Sequence, residues 1–197
     1  MRYAAEHKER TRRRILAEAA GAIRARGAER VGVAEVMNGL GLTHGGFYAH
    51  FKSKDELVAQ AIGHMFEETY AWFQTRTEGL EPGPALAAFI GIYLSRSHRD
   101  AHATGCAVAA MCGDLPRLPR QARASFTRGL ERLQGWLAGL LSSLGRRNAE
   151  ALALSLIAEL SGTLALARAV GETERSDLIL RKAREQLRER LGLEAVS

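Results

Sequence analysis

Residues 32–57 read GVAEVMNGLGLTHGGFYAHFKSKDEL, and the reading of the fold starts there. Val33, Val36, Met37 and Leu40 fall on one side of a short helix, because residues three and four apart share a face. Gly41-Leu42 is a tight turn. Thr43 is an N-cap for a further short helix whose inward side chains are Phe47 and Phe51. Two short helices crossed over apolar contacts and joined by a glycine-containing turn make a helix-turn-helix. The outward face of its second helix carries His44, Gly45 and Tyr48. Consecutive glycines cost a helix about 1 kcal/mol each relative to alanine. Close backbone approach to a DNA major groove is a physical reason to keep them there.

The pattern extends in both directions. Upstream, Ile15, Leu16, Ala19, Ala20 and Ile23 recur at helical spacing until Gly27, which places a helix to about Arg26. Downstream, Ser53 to Glu56 reads as a capping box. It opens a helix through Leu57, Val58, Ala61, Ile62, Met65 and Phe66 to about Arg76. A helix is expected from about Ala85 to Ser97, then a polar loop, Arg99 to Gly105, and a short helix from Cys106 to Cys112. A long helix follows, with Phe126, Leu130, Leu133, Leu137, Leu140 and Leu144 on a heptad-like seam ended by Gly145. The next helix, capped by Asn148, is apolar on nearly all sides to Val170, and a last one runs from Thr173 to Gly192. No strand signal stands out. The expectation is an all-α chain of about nine helices, with an N-terminal three-helix helix-turn-helix head and a larger helical body. The head is placed at residues 8–68, with the helix-turn-helix at about 32–51, and the body at 69–197.

Charge singles out the head. Residues 1–54 carry eleven Lys/Arg against five Asp/Glu, while residues 55–197 carry seventeen of each, so the whole net charge of +6 lies in the first quarter. That is the electrostatic footprint of a small polyanion-binding head on a neutral body. The first fourteen residues are polar and basic, without the apolar run of a signal peptide. The stretch Ala151–Val170 is long enough to invite a membrane reading, but Glu159, Arg168 and three hydroxyl residues interrupt it, which favours a buried helix. Two cysteines and no export signal point to a reducing cytoplasm.

Gly41-Leu42-Thr43, then Tyr48-Ala49-His50-Phe51, then Ser53-Lys54 with Leu57, resemble the signature of the TetR/AcrR family of transcriptional regulators. Thr11-Arg12-Arg13-Arg14-Ile15-Leu16 also looks like the opening of that family's first helix. The resemblance covers about residues 8–68 and implies a site on double-stranded DNA with named roles. Thr43 and Lys54 meet phosphates, Tyr48 and His50 meet phosphate or groove, and His44, Gly45 and Gly46 occupy base-reading positions, with Gly46 leaving room for a thymine methyl. Arg12, Arg13 and Arg14 supply charge nearby, and one of them could enter a minor groove. Gly32 stands where the family often has a Ser/Thr cap, at a cost of only a few tenths of a kcal/mol.

The resemblance also implies a cavity in the body for a small-molecule effector, whose binding moves two heads apart and releases DNA. Met65, Phe66, Tyr70, Phe73, Phe89, Tyr93, Cys106, Met111 and Trp136 are the candidate lining, each of them also an ordinary core residue type, and their chemistry favours an apolar or aromatic compound. The Ala151–Val170 helix and the last helix are expected to pair with their copies in a homodimer on a pseudo-palindromic operator. A ligand-released repressor is the leading reading. The alternatives are a repressor sensing oxidants or electrophiles through Cys106, and an architectural DNA-binding protein without effector. His98, His102 and Cys106 have metal-ligand spacing only if one helix carries all three, and the expected loop breaks that register. No catalytic constellation, metal site or cofactor is expected.

Overall fold

The structure, a computed structural model, describes residues 2–193. Met1 and the last four residues of the 69–197 body lie outside the described residues. Among the described residues every regular element is helical. They are α1 (Arg2–Arg26), α2 (Val33–Gly39), a 3-10 segment (His44–Ala49), α3 (Lys54–Thr77), α4 (Pro82–Tyr93), α5 (Arg96–Asp100), α6 (Ala107–Met111), a one-turn 3-10 segment (Leu115–Arg117), α7 (Arg120–Ser143), α8 (Ala149–Val170) and α9 (Glu174–Leu191). The all-α expectation holds. The chain forms two compact units: one of the residues up to Glu68 with His102–Gly129, the other of Thr69–Ala101 with the residues from Leu130 on.

In the first unit the apolar seam of α1 (Ile15, Ala19, Ala20, Ile23) is buried, as are Val36 and Met37 of α2, Phe47, Phe51, and Leu57, Val58, Ala61, Ile62 and Met65 of α3. Gly41 takes φ 68°, a left-handed turn conformation that a side chain would oppose. Its N–H bonds to the Asn38 carbonyl, and the N–H of Leu42 reaches the Met37 carbonyl at 2.9 Å. At the start of α3, Ser53 Oγ accepts the Glu56 N–H at 3.1 Å, while the Glu56 carboxylate accepts the N–H of Lys52 at 2.7 Å, one residue earlier than in a standard capping box.

His102–Gly129, expected within the body, groups with the first unit. Arg24 gives the reason. Its buried guanidinium pairs with Glu68 at 2.9 Å and donates to the carbonyls of Met65 and Ala103. Gly129 is a point of close approach: a Cβ there would lie 2.2 Å from the Phe66 ring, which meets Phe126 edge-on at 5.3 Å.

In the second unit, Phe73, Leu86, Phe89, Ile90 and Tyr93 pack with Leu133, Leu137 and Leu141 of α7, the inner face of α8 and Leu180, Leu187 and Leu191 of α9. The helix expected over 85–97 breaks at Ser95. Its hydroxyl donates to the Ile92 carbonyl and accepts the His98 N–H at 3.1 Å, which ends α4 and caps α5. Arg99 binds Ser176 and Asp177, and Arg168 donates to the carbonyls of His98 and Arg99. The buried His98 ring donates from Nδ1 to the Tyr93 carbonyl at 2.8 Å. Burial above all, and then the charge of Arg168, push its pKa down to about 4 against the pull of that carbonyl. By length and composition α8 could cross a membrane, but Ala153, Leu156, Ile157, Leu160 and Leu164 on its inner face help to build this unit's core.

Two outcomes follow from this packing. Gly129→Ala should lower stability by about 1–3 kcal/mol in chemical denaturation, because the buried Phe66 ring must move; an unchanged midpoint would contradict the close contact. The folded state keeps His98 neutral down to about pH 4, whereas an unfolded imidazole protonates below about pH 6.5. Stability from this group is therefore complete above 6.5 and declines by up to ~3 kcal/mol as pH falls towards 4. His98→Asn should flatten that part of the pH profile of urea midpoints, and an equally steep profile would contradict the assignment.

Candidate nucleic-acid interface

The segment His44–Ala49, which holds the expected base-reading positions, is short and tightly wound. Thr43 caps it, with Oγ1 accepting the Gly46 N–H at 3.2 Å. The Thr43 carbonyl accepts that same N–H at 3.0 Å, and the Phe47 carbonyl accepts from His50 at 2.9 Å and from Phe51 at 3.0 Å. An ordinary helical turn was expected; the observed 3-10 winding fits six residues that include two consecutive glycines, too few and too weak to sustain α-helix by themselves. Packing supplies what propensity lacks. Phe47 and Phe51 are buried and stacked, with centroids 5.5 Å apart.

Outside that anchor, Tyr48 is 64% exposed. Its ring stands edge-on to Phe47 at 5.3 Å and to His44 at 5.9 Å, so His44 and Tyr48 share the outer face. A Cβ at Gly45 would meet nothing within 4 Å. A Cβ at Gly46 would instead meet Thr43 Oγ1 at 3.4 Å and Met37 at 3.8 Å, so the room at Gly46 lies towards the head's own interior.

Arg12 was expected to add charge beside DNA; in the structure its side chain is engaged within the head. Its guanidinium donates to the His50 carbonyl and to Gln60, lies 3.8 Å from Glu56 and covers the Phe51 ring at 4.3 Å. The sequence held the signal: Arg12 precedes Ile15 and Ala19 by three and seven residues, on the buried face of α1. Arg13 pairs with Glu9 on the surface. His50 is half-buried, with Nδ1 sheltered and without a partner. Burial, then Lys8 and Arg12, hold its pKa below the usual imidazole range. Lys54 opens α3, and its Nζ donates to the Glu29 carbonyl at 3.0 Å, which leaves two ammonium protons to donate.

The candidate effector residues divide between the two units. Met65, Phe66, Cys106 and Met111 are buried in the first. In the second, the rings of Tyr70 and Trp136 (6.2 Å), Trp136 and Phe89 (5.3 Å), Phe89 and Phe73 (4.5 Å) and Phe73 and Tyr93 (6.0 Å) form a continuous chain. His98, which sequence reasoning did not connect with that group, meets Tyr93 edge-on at 4.8 Å. α5 ends at Asp100, so no single helix carries His98, His102 and Cys106.

Residues 15–61 match the family model of bacterial regulatory proteins, tetR family. Over those residues the head resembles a tetR-family head. The chain has a TetR-like fold. It is similar to a TetR transcriptional regulator from Legionella pneumophila, with 22% identity, TM-score 0.77, and 90% of this chain and 95% of that chain covered. A TetR regulator from Chloroflexus aurantiacus shares 21% identity at TM-score 0.81, covering 95% and 96%. E. coli NemR in its reduced form shares 18% identity at TM-score 0.80, covering 91% and 95%. No curated protein matches the chain.

A TetR-type head that brings its backbone close to DNA at Gly45 should respond to a methyl group there in two opposite ways. Gly45→Ala should stabilise the protein by about 0.5–1 kcal/mol, since the site is open and alanine stiffens the unfolded chain. It should also weaken duplex binding. Higher stability with unchanged affinity would show that the approach is not that close.

Proposed function

We propose that the protein is a homodimeric transcriptional repressor that leaves its operator when a small, largely apolar ligand enters the helical body. The observation that carries the reading is the outer face of the recognition segment. A large aromatic side chain, Tyr48, stands exposed beside His44 and the open Gly45, on the part of the chain that holds all the net positive charge. Such a face suits a polyanion with readable edges. In this reading the hydroxyls of Thr43 and Tyr48, the His50 ring and the Lys54 ammonium meet backbone phosphates. His44 meets a base edge, and the open Gly45 lets the backbone come close. Arg12 does not touch DNA; it positions the segment from inside.

Dimerisation is supported by α8. Its outer face leaves Leu154 (47% exposed), Leu166 (62%) and Val170 uncovered beside Ala158, Ala165 and Ala169. A second copy covers this stripe, which places α8 against protein rather than lipid. A twofold dimer calls for a pseudo-palindromic operator with half-sites ~34 Å apart or a multiple of that. The ring chain from Tyr70 to Tyr93 supports an aromatic or apolar effector. α3 has residues in both units and is the element by which ligand binding biases the spacing of the heads. The protein works in the cytoplasm as a binding protein without catalysis.

Selection of bound fragments from random DNA by the purified protein tests this reading. A palindromic motif with twofold spacing is expected. Tyr48→Phe and Lys54→Ala should weaken binding to the selected duplex without shifting the unfolding midpoint, and affinity should fall steeply with salt. No enriched motif together with a flat salt response would overturn the reading.

A further inference from the structure

α1 reaches well beyond the part of it that builds the core. It starts at Arg2, whereas among the described side chains the first buried one on it is Thr11. Residues 5–10 are exposed all round the helix. A helical arm of this kind gains little from burial, so its use lies in what its surface meets.

Arg12 fixes which way the arm's faces point. Its bonds to the His50 carbonyl and its place over Phe51 set that face of α1 against the C-terminal end of the recognition segment. Lys8 is one turn upstream on the same face. The His50 pKa is held below the usual imidazole range by burial first, and then by the charges of Lys8 and Arg12. Four other cations of the head are answered by carboxylates: Arg12 by Glu56, Arg13 by Glu9, Arg24 by Glu68 and Arg26 by Glu35. Among the described residues Lys8 has no ion pair. An ammonium without an ion pair thus lies one turn from Arg12, on the face of α1 set against the segment that carries Tyr48.

We propose that the arm of α1 extends the DNA-contacting surface beyond the helix-turn-helix, with Lys8 contacting a backbone phosphate beside the His50 end of the recognition segment. This rests on the DNA-binding reading above. A phosphate there answers the Lys8 ammonium and leaves the ion pairs of the head intact. The contact is to the backbone, so it strengthens binding to every sequence alike.

The test uses the full-length protein and a fluorescent 30-bp duplex of random sequence, titrated at several salt concentrations. Lys8→Ala keeps a good helix former in an exposed turn, so the variant folds. It should bind several-fold more weakly, with the slope of log K against log salt reduced by about one. Lys8→Arg should restore both. Arg10→Ala removes the same charge from a different face of the arm and should leave the slope close to that of the wild type. Two results overturn the proposal: an unchanged slope in Lys8→Ala, or equal losses in Lys8→Ala and Arg10→Ala, which would reduce the effect to net charge. A wild type that binds no duplex at any salt concentration would fail the DNA-binding reading itself, a separate and recognisable outcome.

Discussion

The head depends on how one guanidinium is held. The recognition segment, His44–Ala49, has only six residues, and two are glycine. Fixing so short a stretch costs more backbone entropy than its own hydrogen bonds return. Its geometry must come from outside. Phe47 and Phe51 hold it by burial, a contact that is strong but poor in direction. Arg12 supplies direction: it clasps the His50 carbonyl, covers Phe51 and is itself fixed by Gln60 and Glu56. Those bonds set the rotation of the segment about its axis, and so decide that Tyr48 and His44 face out.

The same economy appears at the other end of the unit. Arg24 spends its charge on Glu68 and on the carbonyls of Met65 and Ala103. A segment from beyond residue 100 is thereby part of the first unit, and a fragment cut after Glu68 would leave a buried guanidinium short of one acceptor, which is destabilising. Two arginines that look alike in a basic stretch of sequence thus both act as fasteners within the unit.

Much of the fold was legible because the signals were local. The cap at Thr43, the turn at Gly41, the inward Phe47 and Phe51 and the start of α3 at Ser53 each rest on spacing within a few residues, and each lies where the spacing places it. What spacing did not show needed more distant information. The 3-10 winding of the recognition segment follows from its glycines and its anchoring together. The break at Ser95 is a competition between a side-chain hydroxyl and the next turn of backbone, which an apolar pattern does not register. The grouping of His102–Gly129 with the first unit hangs on the contact of Arg24 with Ala103, seventy-nine positions apart. The candidate effector residues share a chemistry, and chemistry alone could not say that they divide between two units.

The salt dependence of duplex binding by Arg12→Ala tests the central claim, that the recognition segment is oriented from within. If Arg12 orients the segment and touches no phosphate, affinity falls while the slope of log K against log salt stays at the wild-type value. A slope reduced by about one, with the unfolding midpoint and the fold intact, would make Arg12 a phosphate contact and contradict the account.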